Sequence, residues 1–250
     1  MRYGPGHGMR VLRAALERLP DPLERRVRSA RAWQRSHAVR MGRLRRTTPL
    51  DPSWGAGRGT PVDRIYIEEF LERHRADIRG RALEVKSPWY LDRYREAVEK
   101  VEILDLDASN PRATIVADLQ LGSEIESDAF DCAIVTQVLH FVFDVPAALR
   151  TLHRILAPGG VLLATVPGIT RVAASEPERR SDWWRFTAAS ARRLAEDTFG
   201  AGAVEVETFG NVLSASALLY GLAAEDLRAS ELAAHDPAYE VTIGIRAVKR

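Results

Sequence analysis

Residues 130–167, FDCAIVTQVLHFVFDVPAALRTLHRILAPGGVLLATVP, decide the fold. Cys132–Val135 is a short apolar run with β-branched residues, the length expected of a strand buried on both faces. Asp144 has the chemistry of a helix cap, and Pro146 falls in the first turn, where a missing N–H does no harm. Leu149, Leu152, Ile155 and Leu156 recur at helical spacing and predict one apolar stripe. Pro158-Gly159-Gly160 is expected to stop that helix and turn the chain, because proline cannot continue it and glycine accepts positive φ. Val161–Val166 predicts a second buried strand ending at Pro167. A strand, a covering helix and a parallel strand make a right-handed βαβ unit.

The whole chain suits one such domain with an appendage. It has 250 residues, 46% hydrophobic and 28% charged, which describes an ordinary globular protein. Its single cysteine, Cys132, lies inside the expected strand, so no intramolecular disulfide can form. No apolar run reaches the ~18 residues of a membrane helix. The first residues lack the apolar core of a secretory signal, and a cytoplasmic location is the expectation. The six histidines are scattered and suggest no metal cluster.

The net charge is only +2 but unevenly spread. Residues 1–60 hold 14 arginines against four acids, a balance of +10, which leaves −8 for the remainder. Two arginine-studded helical stretches are expected there, one around Val11–Leu19 and one over Leu23–Arg45. Such a surface suits an anionic partner or a solvated lid or dimer arm, and the second reading is favoured because no nucleic-acid motif accompanies the charge. The domain expectation is a basic helical extension and linker over 1–59 and an α/β domain over 60–250.

Phe130-Asp131, the Val138-Leu139 step and the run from Leu152 to Gly160 resemble the second half of a class I S-adenosylmethionine (SAM) dependent methyltransferase of the type-11 kind. The resemblance covers about residues 60–250. Arg58–Glu68 is similar to a segment of bacterial members linked to polysaccharide or secondary-metabolite pathways. The resemblance implies a Rossmann-like, seven-stranded, mostly parallel sheet, SAM as cofactor and a small-molecule acceptor. It also implies an antiparallel final pair of strands, over Ala203–Thr208 and Tyr239–Val248.

Taken in order, Thr60-Pro61-Val62-Asp63 has the layout of a helix start with Thr60 as cap, and Ile67, Phe70, Leu71, His74 and Ile78 follow at helical spacing. In the family this helix lies across the cofactor site, which makes Tyr66 a candidate substrate contact. Ala82–Lys86 is the first strand. Typical members follow it with a glycine-rich loop that lets backbone N–H groups approach the cofactor. Here Lys86-Ser87-Pro88 follows instead, and no glycine occurs from Arg81 to Leu121. Three consequences are open: a wider loop that still binds SAM, a Lys86 ammonium on the carboxylate of SAM or substrate, or a lost pocket. Glu84 keeps the family's acid near the strand's end.

Val101–Asp107 is the expected second strand, and Asp107 falls where the family places a carboxylate for the ribose hydroxyls, with Asp105 as competitor on the same side. Ala113–Ala117 is the third strand, after which the resemblance assigns Asp118 and Leu119 to adenine. The fourth strand delivers Thr136 and Gln137 to the carboxyl end of the sheet, where open α/β sheets bind ligands. His140 lies nearby, and its imidazole is suited to take a proton from an acceptor hydroxyl, against the alternative of a histidine bonded to a carbonyl. Thr187 is read as the cap of a helix over Ala188–Phe199, and Val212–Ala224 as another. Ahead of it, Trp183 and Trp184 are candidates to wall an apolar acceptor and Arg185 to hold an anionic group, or else the rings roof the core and Arg185 is salt-bridged. The expected function is methyl transfer from SAM to a small molecule. The rival is a non-catalytic or repurposed member with weakened SAM binding.

Overall fold

Apolar residues alternate along the central strands and bury both faces, so a sheet with helices on each side is dictated before any helix is placed. Cys132 and Ile134 point into one core with Phe70, Leu71 and Leu218, whereas Ala133 and Val135 point into the other with Leu149, Leu152 and Phe199. The computed structural model describes residues 42–173 and 181–250, together with Arg26 and Ser29. The two expected N-terminal helices and their role as an arm lie outside the described residues, apart from a single turn at Gly42–Leu44.

Seven strands form one sheet in the order β3-β2-β1-β4-β5-β7-β6. They are β1 (Gly80–Val85), β2 (Val98–Asp105), β3 (Ile115–Val116), β4 (Phe130–Thr136), β5 (Leu156–Pro167), β6 (Val204–Phe209) and β7 (Thr242–Val248). β1 to β5 pair in parallel, and β7 inserts antiparallel between β5 and β6. The reversal of strand order between β1 and β4 is the switch point at which such sheets open a crevice. The antiparallel last pair agrees with expectation, although its two strands are separated by two helices rather than a tight turn.

Among the described residues the main α-helices are α1 (Val62–Arg73), α2 (Val145–Ile155), α3 (Ala188–Phe199), α4 (Val212–Tyr220) and α5 (Ala229–Ala233). Asp144 caps α2 by accepting from the Ala147 N–H at 2.9 Å, as its sequence position implies. Thr187 likewise caps α3, accepting from Ser190. Helix α2 ends at Ile155, three residues ahead of Pro158, because Leu156 already pairs with Phe130 and Pro158-Gly159-Gly160 is absorbed into β5. Thr60 does not cap α1: its N–H and hydroxyl are both bonded to Glu225, and α1 starts from Pro61 without a side-chain cap. Helix α4 stops at Gly221, whose φ of 68° supplies the left-handed terminus, so it is shorter than its apolar run suggests.

The proline- and glycine-rich stretch ahead of α1 is packed on the domain. Leu50 donates to the Tyr220 carbonyl at 2.7 Å, and the Trp54 indole donates to Thr170 at 3.1 Å. On the opposite edge of the same face, β7 passes so close under α1 that a Cβ on Gly244 would lie 2.4 Å from the Phe70 ring. Residues 48–250 form one compact unit.

Candidate functional site

The carboxyl ends of the parallel strands open two adjoining hollows, of about 210 and 230 Å³. Both are lined by Thr136, Gln137 and Phe141, so they meet just beyond β4. The first lies toward β1, β2 and β3. The second lies toward α1 and the segment after β5.

The turn after β1 shapes the first hollow. Lys86 has φ 75°, a backbone conformation suited to glycine, and the Ser87 N–H donates to the Val85 carbonyl across it at 3.0 Å. That is a classic γ-turn, a rare and strained geometry for a residue with a Cβ. The Asn110 side-chain amide donates to the Lys86 carbonyl and to Asp105 Oδ2, each at 2.8 Å. The chain thus takes the path that glycine would favour while carrying a lysine, and the hollow stays open with Lys86 at its edge.

Glu84 is buried and does not line either hollow. Its carboxylate accepts from the Tyr90 N–H at 3.1 Å and the Leu91 N–H at 2.9 Å, which ties down the segment after the turn. Burial pushes its pKa up to about 7, against the opposing pull of these N–H groups.

The acids beyond β2 divide. Pairing with β3 stops at Asp105, so Asp107 lies past the strand end. Asp107 accepts from the Ser109 N–H at 3.0 Å and hydroxyl at 2.7 Å, and lines an open hollow that adjoins the first, sharing Lys86 and Asp105 with it. Asp105 is buried and lines the first hollow. Asp118 and Leu119 line it too, with Asp118 Oδ1 accepting from the Gln120 N–H at 2.8 Å. Leu104, Leu106 and Val142 supply apolar wall. The result is a slot that is apolar along its length and carries two carboxylates and one ammonium.

In the second hollow His140 is 7% exposed, and its Nδ1 has no hydrogen-bond partner. Burial, reinforced by Arg185 and opposed by Asp182, lowers its pKa to about 4, so the imidazole is neutral at physiological pH. Arg185 lines this hollow but is paired with Asp182. Trp54, Asp63, Arg64 and Arg171 also line it, none of them singled out by the sequence. Burial raises the Asp63 pKa, partly offset by Arg64.

Tyr66, Trp183 and Trp184 are not brought to either hollow. Tyr66 is buried in the core, with its hydroxyl donating to the Leu232 carbonyl at 3.1 Å. Trp183 and Trp184 dock their N–H groups on the His140 carbonyl and hold partly exposed rings around Phe143 on another face.

Residues 53–162 match a family model described as a methyltransferase domain. Over these residues the chain is similar to methyltransferase domains. No curated protein matches the sequence. Among solved structures, a SAM-dependent methyltransferase from Archaeoglobus fulgidus is 11% identical, with 74% of this chain and 94% of that one covered and a TM-score of 0.50. The cyclase SpnF is 18% identical, with coverage of 77% and 83% and a TM-score of 0.50. The Haemonchus contortus phosphoethanolamine N-methyltransferase 2, solved with phosphomonomethylethanolamine and S-adenosylhomocysteine, is 16% identical with a TM-score of 0.47. That alignment covers 75% of this chain and 57% of the Haemonchus chain.

Position rather than residue type marks the unpredicted lining groups. Arg171 and Trp54 follow strand and loop boundaries that are visible in the sequence, but nothing there says that the two rims converge. Among the described residues no group of three or more His, Cys, Asp or Glu is placed to hold a metal ion. No helix among them is long and apolar enough to cross a membrane.

Proposed function

We propose that the protein transfers a methyl group from SAM to an oxygen, nitrogen or carbon nucleophile of a small molecule. The observation carrying this reading is the meeting of two hollows at Thr136, Gln137 and Phe141 on the carboxyl rim of the sheet. One hollow has the chemistry of a nucleoside site, and the other is lined by a neutral imidazole.

The residues of the first hollow fit the donor. Its apolar wall suits a flat base, and Asp118 with Leu119 is placed to select an exocyclic amine. Asp105, rather than Asp107, is assigned to the ribose hydroxyls, because it lines the slot and Asp107 is turned to Ser109. Lys86, Thr136 and Gln137 are left for the amino-acid end. When bound, SAM supplies a methyl group on sulfonium sulfur, already electrophilic and in need of no further activation. The protein's work is then to hold the acceptor in line and exclude water. For a hydroxyl acceptor, the neutral imidazole of His140, which lines the second hollow, is assigned to receive the proton. A natural-product or sugar intermediate is the acceptor class suggested by the likeness of Arg58–Glu68 to polysaccharide-linked members.

One observation favours the rival reading of a repurposed fold: the glycine-like turn carries the Lys86 side chain at the donor site. Calorimetry with S-adenosylhomocysteine decides between the two. Micromolar binding that is lost in Asp105→Ala and Asp118→Ala supports the transferase, and no binding at saturating ligand overturns it.

A further inference from the structure

Arg185 is the arginine that sequence position recommends for an anionic acceptor, but its hydrogen-bonding capacity is spent. Its guanidinium donates to Asp182 Oδ1 at 2.5 Å and Oδ2 at 2.7 Å. It also reaches the carbonyls of Trp184 at 2.7 Å, Arg171 at 2.5 Å and, through Nε, Thr170 at 3.5 Å. Asp182 accepts a further bond from the Ala173 N–H at 2.9 Å. The pair is charge-neutral and fastens the segment 170–173 to the rim.

That segment presents Arg171. Its guanidinium lies 3.8 Å from the centre of the Trp54 ring, and Nη2 donates to the Pro52 carbonyl. Its Nε is buried without a partner. Leaving a buried donor unmade costs about 1–3 kcal/mol, so the side chain is held there by its ring and carbonyl contacts at some expense. Of the other cations lining this hollow, Arg185 is held in an ion pair by Asp182, and Arg64 is engaged with Tyr90 and the Trp89 ring. Asp63 lies beside Arg64, whose Nη1 donates to the Tyr90 hydroxyl at 2.8 Å.

We propose that Arg171 anchors an anionic group, a carboxylate or phosphate, of the molecule that occupies the second hollow. This rests on the reading of that hollow as the acceptor site and narrows the acceptor to an anion. Asp182 and Arg185 are positioning residues for Arg171. The anion gains a charge-assisted bond from a guanidinium that lines the hollow and lies over the Trp54 ring.

The test uses full-length protein with ¹⁵N-labelled tryptophan, its Trp54 indole signal assigned through Trp54→Phe. Benzoate, inorganic phosphate and neutral benzyl alcohol are titrated with and without saturating S-adenosylhomocysteine, whose own affinity is measured first. The expected result is a saturable Trp54 shift with an anion and none with benzyl alcohol. A response to benzoate alone marks a carboxylate, and one to phosphate alone a phosphoryl group. Loss of a charge-assisted bond predicts roughly 10- to 100-fold weaker anion binding in Arg171→Ala, with S-adenosylhomocysteine affinity unchanged. The proposal is overturned if neither anion shifts Trp54 or if benzyl alcohol matches benzoate. It is equally overturned if Arg171→Ala keeps the response, or loses S-adenosylhomocysteine in proportion. Failure of S-adenosylhomocysteine to bind wild-type protein, with the anion response intact, removes the transferase reading alone.

Discussion

The side-chain amide of Asn110 holds the carbonyl of Lys86 at 2.8 Å, and the same nitrogen reaches Asp105. One short side chain therefore braces a strained turn and orients the carboxylate assigned to ribose. In Asn110→Ala both acceptors lose a partner, at a cost of about 1–3 kcal/mol. We expect a lower midpoint in urea and weaker S-adenosylhomocysteine binding, and unchanged affinity would separate the brace from the site.

Lys86 itself offers an opposite test. A non-glycine residue at φ 75° costs about 1–3 kcal/mol, whereas glycine adds roughly 0.5–1 kcal/mol of unfolded-state entropy. Lys86→Gly should therefore be neutral to stabilising, by up to about 2 kcal/mol. Lys86→Val, β-branched, should destabilise. Thermal unfolding of the two variants reads the sign directly.

The Glu84 carboxyl titrates near 7 in the folded chain against an ordinary 4.5. Its folded pKa is raised, so its contribution favours folding below pH 4.5 and is lost as pH rises through about 7. The stability gap between wild type and Glu84→Gln should accordingly move against wild type from pH 5 to pH 8, by at most roughly 3 kcal/mol. Urea unfolding at the two pH values measures it, and a constant gap refutes the assignment.

For His140 the sign is reversed. Its folded pKa of about 4 lies below the ordinary 6.5, so the stability it contributes is full above 6.5 and is lost as pH falls through about 4. Its ring protons, followed by NMR against His140→Gln, should not titrate between pH 8 and pH 5. A midpoint near 6.5 would mean that the imidazole is solvated and poorly placed to receive a proton from an acceptor.

Gly244 tests the packing of α1 on the sheet. The 2.4 Å approach of a built Cβ to Phe70 leaves no room for a methyl group without moving the helix. Overpacking of this kind costs about 1–3 kcal/mol, so Gly244→Ala should lower the unfolding midpoint with little change in secondary structure by circular dichroism.

The βαβ core was legible because burial on both faces writes itself as unbroken apolar runs, and because Asp144 and Thr187 do locally what their residue types favour. Strand ends were less so. Alternation alone puts Asp105 and Asp107 on one side, but β3 supplies only two residues of partner, and past them the chain turns under the control of Asn110. Arg171 was invisible for a different reason. Its meaning comes from Trp54, 117 positions away in sequence, and from an Asp182–Arg185 pair that exhausts the more obvious arginine.

The bend after the first strand shows that a backbone course suited to glycine can be held under a long side chain. A lysine has been forced into a curve normally reserved for the smallest residue, and neighbours bear the cost. Searches that demand glycine at this bend will pass over proteins built the same way. In this chain an asparagine two dozen residues downstream staples the bend shut.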